Sequence, residues 1–368
     1  MNKRFFAIDA VRGWVMILMA LDHAMAFCYA HVLAEGFQGT RPESMPDVAH
    51  YLTRFITLYC APAFLFLAGL SVGLYTLSRR RQGLSEGQIT RKLLTRGLLL
   101  MALQMTMVNW SWGFGLPPYA SQIYFGVLTC IGSGLIVLAF ARRLPVPVLA
   151  SGSAFLVLLI PFLLSTFPLL PGTDQPLLEL GLHPNAEGWL GVRYPILPWL
   201  GVMGFGCACG FWLGAKPERI TKWFLPLGAI LLIGWLALRL AGGYGNLTPY
   251  LGGEWQDFML MSKYPPSPVF LMWTLGGVVI AIAAHDYIGS RSRFRKFWGT
   301  IVLFGQTALF FYVVHLLLYR LLPAVPLLRG NLASAYLAWL LGLAAMVPLC
   351  AAYWSLKRRY PRSVLQYV

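Results

Sequence analysis

Apolar residues run along this chain in long blocks separated by short polar segments. Ten blocks, near 5–30, 51–77, 93–110, 122–141, 145–169, 195–214, 223–241, 267–287, 299–320 and 335–356, each predict a membrane-crossing helix. A helix needs about 20 mostly apolar residues to cross the hydrocarbon core of a bilayer. The predicted fold class is therefore all-α: a polytopic helical membrane protein of about ten transmembrane helices, in a single domain over 1–368. The fifth block carries Pro161 and Pro168, and proline removes a helix hydrogen bond and clashes with the preceding turn. A break is expected there.

The polar segments alternate in charge. With the N-terminus inside, the inner segments hold Lys3, Arg4, Arg79, Arg80, Arg81, Arg91, Lys92, Arg142, Arg143, Lys216, Arg219, Lys222, Arg291, Arg293, Arg295, Lys296, Lys357, Arg358, Arg359 and Arg362. These are twenty cations against four in the outer loops: Arg41, Arg193, Lys263 and Arg329. Arg12, Arg54, Arg96, Arg239 and Arg320 fall within spans or at their edges. Cytoplasmic loops of membrane proteins carry the excess of Lys and Arg, so both termini are expected in the cytoplasm. The outer segments 31–50, 170–194 and 242–266 are longer and rich in Gly, Pro and aromatic residues. Trp189, Trp255, Tyr244 and Tyr264 there suit a membrane–water interface.

Composition agrees. Hydrophobic residues make up 58% of the chain and charged residues 11%, where a soluble domain carries about 25% charged residues. The net charge of +16 sits in the inner loops, so it reads as an orientation signal and not as a nucleic-acid surface. The six cysteines lie inside apolar runs, where they act as small apolar residues. Cys207 and Cys209, two apart on a predicted helix, point in different directions, which argues against a redox or zinc pair. The first block contains Asp9, Arg12, Asp22 and His23 and is followed by no prompt small-residue cleavage pattern. It is expected to stay as a span. No phosphate loop, dinucleotide fingerprint, nucleophile elbow or His-x4-Asp pattern occurs, and no spacing indicates a metal.

Ionisable residues inside spans are the candidates for chemistry. One at a bilayer centre costs about 2.5–3.5 kcal/mol on insertion scales. At about 100° per residue, Asp9, Arg12 and His23 share a stripe of the first helix, with Asp22 about 100° away. Asp9 and Arg12 can neutralise each other at i, i+3 or form part of a binding site. Asp22 and His23 mark a proton or substrate site. Arg54 lies one turn inside the outer leaflet, where it can snorkel to the surface or clamp an anion. His50 stands at the outer mouth of the second span. Arg96 lies near the inner surface, and Arg239 precedes the flexible run Gly242-Gly243-Tyr244-Gly245. His315 follows Phe310-Phe311-Tyr312 in mid-span, as a helix–helix hydrogen bond or a working group. Lys263-Tyr264-Pro265-Pro266-Ser267 is a stiff outer entry with a cation at its mouth.

Several of these runs resemble a known family. Ala7-Ile8-Asp9-Ala10-Val11-Arg12-Gly13, Leu21-Asp22-His23, Thr53-Arg54-Phe55-Ile56-Thr57, Ala61-Pro62-Ala63-Phe64, Leu67-Ala68-Gly69 and Thr95-Arg96-Gly97 open the match. Pro198-Trp199-Leu200-Gly201-Val202-Met203, Tyr244-Gly245, the Lys263–Ser267 run, Thr274-Leu275-Gly276 and Phe310-Phe311-Tyr312 through His315 continue it. In this order they resemble the bacterial branch of the heparan-α-glucosaminide N-acetyltransferase-like family. The lysosomal member moves an acetyl group from acetyl-CoA across the membrane to a terminal glucosamine. The resemblance implies a membrane-embedded acyltransferase with acetyl-CoA as co-substrate and a glycan, glycolipid or other envelope acceptor. It places the family's polar Asn on Asp22 and its active histidine near His50. Many bacterial members carry a histidine where Leu58 stands here, which makes His23 the rival.

The expected catalytic residues are thus His50, His23 and Asp22. Asp9, Arg12, Arg54, Arg96, Arg239, Lys263, Tyr264 and His315 are expected to bind substrate or co-substrate. The expected partners are membrane lipids, the acyl donor and the acceptor, with a homodimer allowed and no nucleic acid. The expected location is the bacterial cytoplasmic membrane. The alternative is a proton-coupled transporter or lipid-handling protein that uses the buried Asp and His as a relay; no inverted repeat supports it.

Overall fold

The structure is a computed structural model and describes residues 6–29, 47–116, 120–169, 174–216, 219–289, 298–361, 363 and 365. Lys3, Arg4, Arg41 with most of the segment 31–50, the Arg291–Lys296 cluster and Arg362 lie outside the described residues. Helices dominate: α1 Phe6–Ala24, α2 Val48–Thr57, α3 Cys60–Arg81, α4 Glu86–Leu103, α5 Val127–Ala141, α6 Val146–Thr166, α7 Ile196–Ala215, α8 Ile220–Ala241, α9 Pro268–Gly289, α10 Gly299–Gln306, α11 Ala308–Leu321 and α12 Leu332–Arg359. Two short strands, β1 Ile123–Phe125 and β2 Leu190–Val192, pair in parallel with Tyr124 opposite Gly191.

Among the described residues every predicted block is mainly helical, and seven helices, or eight if a bent pair counts as one, combine the length and apolarity of a span. The differences have local causes. α4 starts at Glu86, in a charged turn ahead of the third block, and α5 has only 15 residues. The second block divides at Leu58–Tyr59 between α2 and α3; Pro62 has no N–H to give the Leu58 carbonyl. The ninth is two helices, α10 and α11, bent by 92° at Thr307, whose φ of −112° and ψ of 24° leave the helical basin. The break expected in the fifth block does not occur there: α6 runs through Pro161 and stops at Thr166, ahead of Pro168.

The burial pattern is that of a protein solvated by lipid. Only 17% of the apolar window of α6 and 22% of that of α8 is buried, and Phe155, Ile230, Ile233 and Leu240 stand exposed. Apolar faces of that extent are unusual on a water-soluble monomer. The first span is 56% buried, and its four ionisable residues, Asp9, Arg12, Asp22 and His23, are half-buried.

Contacts divide the chain into two compact units. The first comprises 1–34, 43–60 and 280–368. In it α1 packs against α2, α10, α11 and α12. Close approach is possible because α1 and α10 meet through glycines: a Cβ on Gly13 would run into the Ile301 carbonyl, and one on Gly305 into that of Asp9. Trp339 Nε1 of α12 donates to the Ile17 carbonyl at 2.9 Å, and Tyr336 Oη meets Thr53 Oγ1 of α2 at 2.8 Å.

The second unit comprises the described residues of 61–279. Its helices α4 and α5 pack together, as do α6 and α7. A capping box starts α4: Gln88 N donates to Ser85 Oγ, and Ser85 N to Gln88 Oε1. The next residue, Glu86, accepts from Arg80 at 2.6 Å and from fully buried Arg142 at 2.5 Å. Those two guanidinium groups, Arg80 first, hold the Glu86 carboxyl down to about 2. A depressed folded-state value means that its stabilisation is complete above the ordinary glutamate range and is lost as pH falls towards 2. Glu86→Gln is therefore expected to lower the melting temperature at neutral pH. Melting curves of the two proteins in detergent should converge as the medium is acidified below the ordinary glutamate range.

Orientation has its own check. A topology reporter fused after Arg81 should read cytoplasmic and one near Asp174 external. An external signal at Arg81 would invert the assignment.

Candidate functional site

The first unit gathers most of the ionisable residues singled out above. Asp22 and His23 stand near the end of α1. A π-helical turn, Met25–Tyr29, follows directly. Such turns carry an i→i+5 bond and are frequent at functional sites; this one re-aims Tyr29 relative to a continued α-helix.

Asp22 and Arg54 form an ion pair, with their side chains 30% and 8% exposed. Arg54 Nη1 also donates to Thr57 Oγ1 at 3.1 Å, and Thr57 Oγ1 lies 3.2 Å from Asp22 Oδ1. Arg54 points inward in this unit; it does not snorkel.

His50 lies one turn before Arg54 on α2, so base and cation share a helix face. Asp47 caps that helix. Its Oδ1 accepts from His50 N and lies 2.9 Å from His50 Nδ1. The His50 backbone N–H, and then the His50 ring, hold the Asp47 carboxyl below its ordinary value. An ionised carboxylate only accepts, so Nδ1 carries the proton and neutral His50 has its lone pair on Nε2. Tyr29 Oη lies 3.0 Å from that nitrogen and therefore donates to it. The result is a directed chain, Tyr29 to His50 to Asp47.

A second histidine system lies deeper. His315 is fully buried on α11. Its Nδ1 is 2.7 Å from the Phe311 carbonyl and its Nε2 2.7 Å from His23 Nδ1. The rings are only 15° from parallel with centroids 5.0 Å apart, which suits an in-plane N–H···N bond between them. The Phe311 carbonyl can only accept, so neutral His315 has a bare Nε2. His23 must then donate from Nδ1, and its lone pair sits on Nε2.

Asp9 and Arg12 pair at 3.3 Å. Asp9 Oδ2 accepts from Gln306 at 3.2 Å, and Arg12 reaches the Gly305 carbonyl at 3.4 Å, beside the α10–α11 bend. The predicted stripe of Asp9, Arg12 and His23 thus separates into two places, because His23 turns to α11.

The other expected residues belong to the second unit. Arg96 is exposed on α4. Arg239 directs all five of its N–H groups to the outer loop: to the carbonyls of Phe258, Thr248, Asp257 and Leu260, and to Asn246 Oδ1. These bonds make it the clasp of the segment 242–266. Lys263 and Tyr264 are buried, with Lys263 Nζ 4.9 Å and Arg193 Cζ 5.2 Å from the Tyr264 ring centroid. Tyr194 Oη is 3.0 Å from Tyr264 Oη. Among the described residues no group of three His, Cys, Asp or Glu is placed to hold a metal.

Asp47, Tyr29 and Thr57 were missed by sequence reasoning. Asp47 had a signal, an Asp at the helix start three residues before His50. Tyr29 had none, since its placement depends on the π turn. The model of one protein family, described as heparan-alpha-glucosaminide N-acetyltransferase, catalytic, matches residues 4–239. That is well over half of the chain; it includes Asp22, His23, His50 and Arg54 and stops short of Lys263 and His315. The chain matches none of the curated proteins.

Proposed function

The chain belongs to the heparan-α-glucosaminide N-acetyltransferase catalytic family, and from that premise we propose that it is a membrane-embedded acyltransferase. It moves an acetyl or other acyl group from acetyl-CoA, arriving from the cytoplasm, to a glycan, glycolipid or other envelope acceptor. The bacterial cytoplasmic membrane is its place of action.

The observation that carries this reading is the Asp47–His50–Tyr29 chain. A carboxylate on Nδ1 sets the imidazole's tautomer and stabilises the imidazolium when Nε2 takes a proton, which is triad logic. His50 is the base that removes the acceptor's proton. The acceptor's nitrogen or oxygen attacks the thioester carbonyl carbon, the carbon–sulfur bond breaks, and the imidazolium returns the proton to the thiolate. Arg54, anchored by Asp22 and one turn along from His50, is assigned to the developing oxyanion. Release of free CoA thiol from acetyl-CoA, dependent on added membrane extract and lost in His50→Ala, tests the assignment. Thiol release that persists in His50→Ala would remove His50 as the base.

The buried His23–His315 pair favours a second reading, a proton relay serving transport. Acid-driven dye quenching in liposomes, present in the wild type and lost in His315→Leu, would support it over acyl transfer.

A further inference from the structure

Both nitrogens of His50 are engaged: Nδ1 with Asp47 at 2.9 Å and Nε2 with Tyr29 Oη at 3.0 Å. A base whose lone pair already receives a phenolic proton cannot take a second proton from a substrate directly. A phenolic oxygen accepts hydrogen bonds as well as donating one. Tyr29 closes the π turn Met25–Tyr29, and its ring is tilted 40° to that of His50 with centroids 5.5 Å apart. It approaches the imidazole with its hydroxyl end.

The geometry points to Tyr29 as the catalytic residue that touches the acyl acceptor, relaying the acceptor's proton to His50. This inference rests on the reading of His50 as the base. The acceptor's X–H bond breaks and its proton goes to Tyr29 Oη. In the same event the Tyr29 O–H bond breaks and its proton goes to His50 Nε2, which becomes imidazolium against Asp47. X attacks the carbonyl carbon of the thioester and the carbon–sulfur bond breaks. The thiolate then recovers the proton from His50, so Tyr29 and His50 end as they began.

The two transfers must be concerted. A free phenol, with a pKa of about 10, does not surrender its proton to an imidazole of about 6.5 unless its oxygen is reprotonated as it does so. Two protons are in flight, and neither residue becomes covalently acylated. A base acting alone moves one proton, and a tyrosine acting as an acyl carrier would hold the acetyl group as an aryl ester. The three mechanisms therefore differ in what can be measured.

The test is the dependence of turnover on the deuterium fraction of the solvent, using full-length protein, acetyl-CoA and a membrane-extract acceptor. The wild type should give a curved dependence, the sign of two protons moving together. Tyr29→Phe should slow turnover by about 10²- to 10⁴-fold, the range of general acid–base catalysis, and its residual rate should vary linearly with deuterium. Acetyl-CoA binding and melting temperature should be unchanged in this variant. The wild-type curve needs no variant, so the inference stands or falls even if Tyr29→Phe does not fold. A linear wild-type dependence, or Tyr29→Phe at the wild-type rate while His50→Ala is inactive, would overturn the relay alone. His50→Ala at the wild-type rate would remove the base and the relay together. Acetyl recovered on Tyr29 after an acid quench would replace the relay with an acyl carrier.

Discussion

Replacing His50 by alanine is expected to lower acyl transfer by about 10²- to 10⁴-fold with the protein still folded. The fold should survive because Asp47 caps α2 through the backbone N–H of residue 50, at 2.9 Å, which alanine keeps. What is lost is the imidazole between Tyr29 and Asp47. Asp47→Asn should have a smaller effect. The Asp47 side chain is 57% exposed, so its charge is screened by water, and asparagine can still cap the helix. The measurement is kcat for CoA release, with melting temperature as the folding control. An Asp47→Asn loss as large as that of His50→Ala would mean that the carboxylate, not the imidazole, is the decisive group.

The second large effect is on stability. Arg54→Ala removes the cation from the Asp22 carboxylate. Breaking a buried pair on one side costs about 3–5 kcal/mol, because the remaining charge is left uncompensated. Asp22 is 30% exposed, which places the expected loss at the lower end, about 3 kcal/mol. Asp22→Asn is milder, since an amide oxygen still accepts from Arg54 while the charge is lost; this variant should stay folded and work less well. Adding Asp22→Ala to Arg54→Ala should recover part of the lost stability, as expected for residues that act as a unit. Denaturation in mild detergent reads the wild type, Arg54→Ala, Asp22→Ala, the double variant that completes the cycle, and Asp22→Asn. Additive losses would show that the pair carries no coupling.

The helices were legible because hydrophobic length is a local property of the chain. Among the described residues every apolar block from 5–30 to 335–356 is mainly helix, including the one through Pro161, where the predicted break fails. In a lipid-facing helix an unbroken backbone is the low-energy state, since non-helical backbone facing lipid cannot satisfy its polar groups. The bend at Thr307 was not legible, because no proline or glycine pair marks it. It forms where Gly305 lies against the Asp9 backbone, a contact between distant parts of the chain.

The site divides in the same way. Asp47 and His50 are three residues apart, so their bond could be read from the sequence as a helix start. Asp22 and Arg54 stand on spans joined by a single loop, which keeps them close in the chain. His23 and His315 are 292 positions apart, and no periodicity connects them. Arg239 shows the limit of residue type as a guide. A guanidinium at the end of a span looks like a ligand for an anion, yet its donors close the following loop.

Acyl transfer with His50 as its base can be measured directly. The most direct test incubates purified protein with acetyl-CoA labelled in the acetyl group and a membrane extract, then separates lipid- and glycan-linked products. Label should pass to an extract component with the wild type, be strongly reduced with His50→Ala, and be absent when the protein is omitted. Wild-type protein that binds acetyl-CoA but transfers no label to any component, or His50→Ala that transfers it at the wild-type rate, would contradict the account.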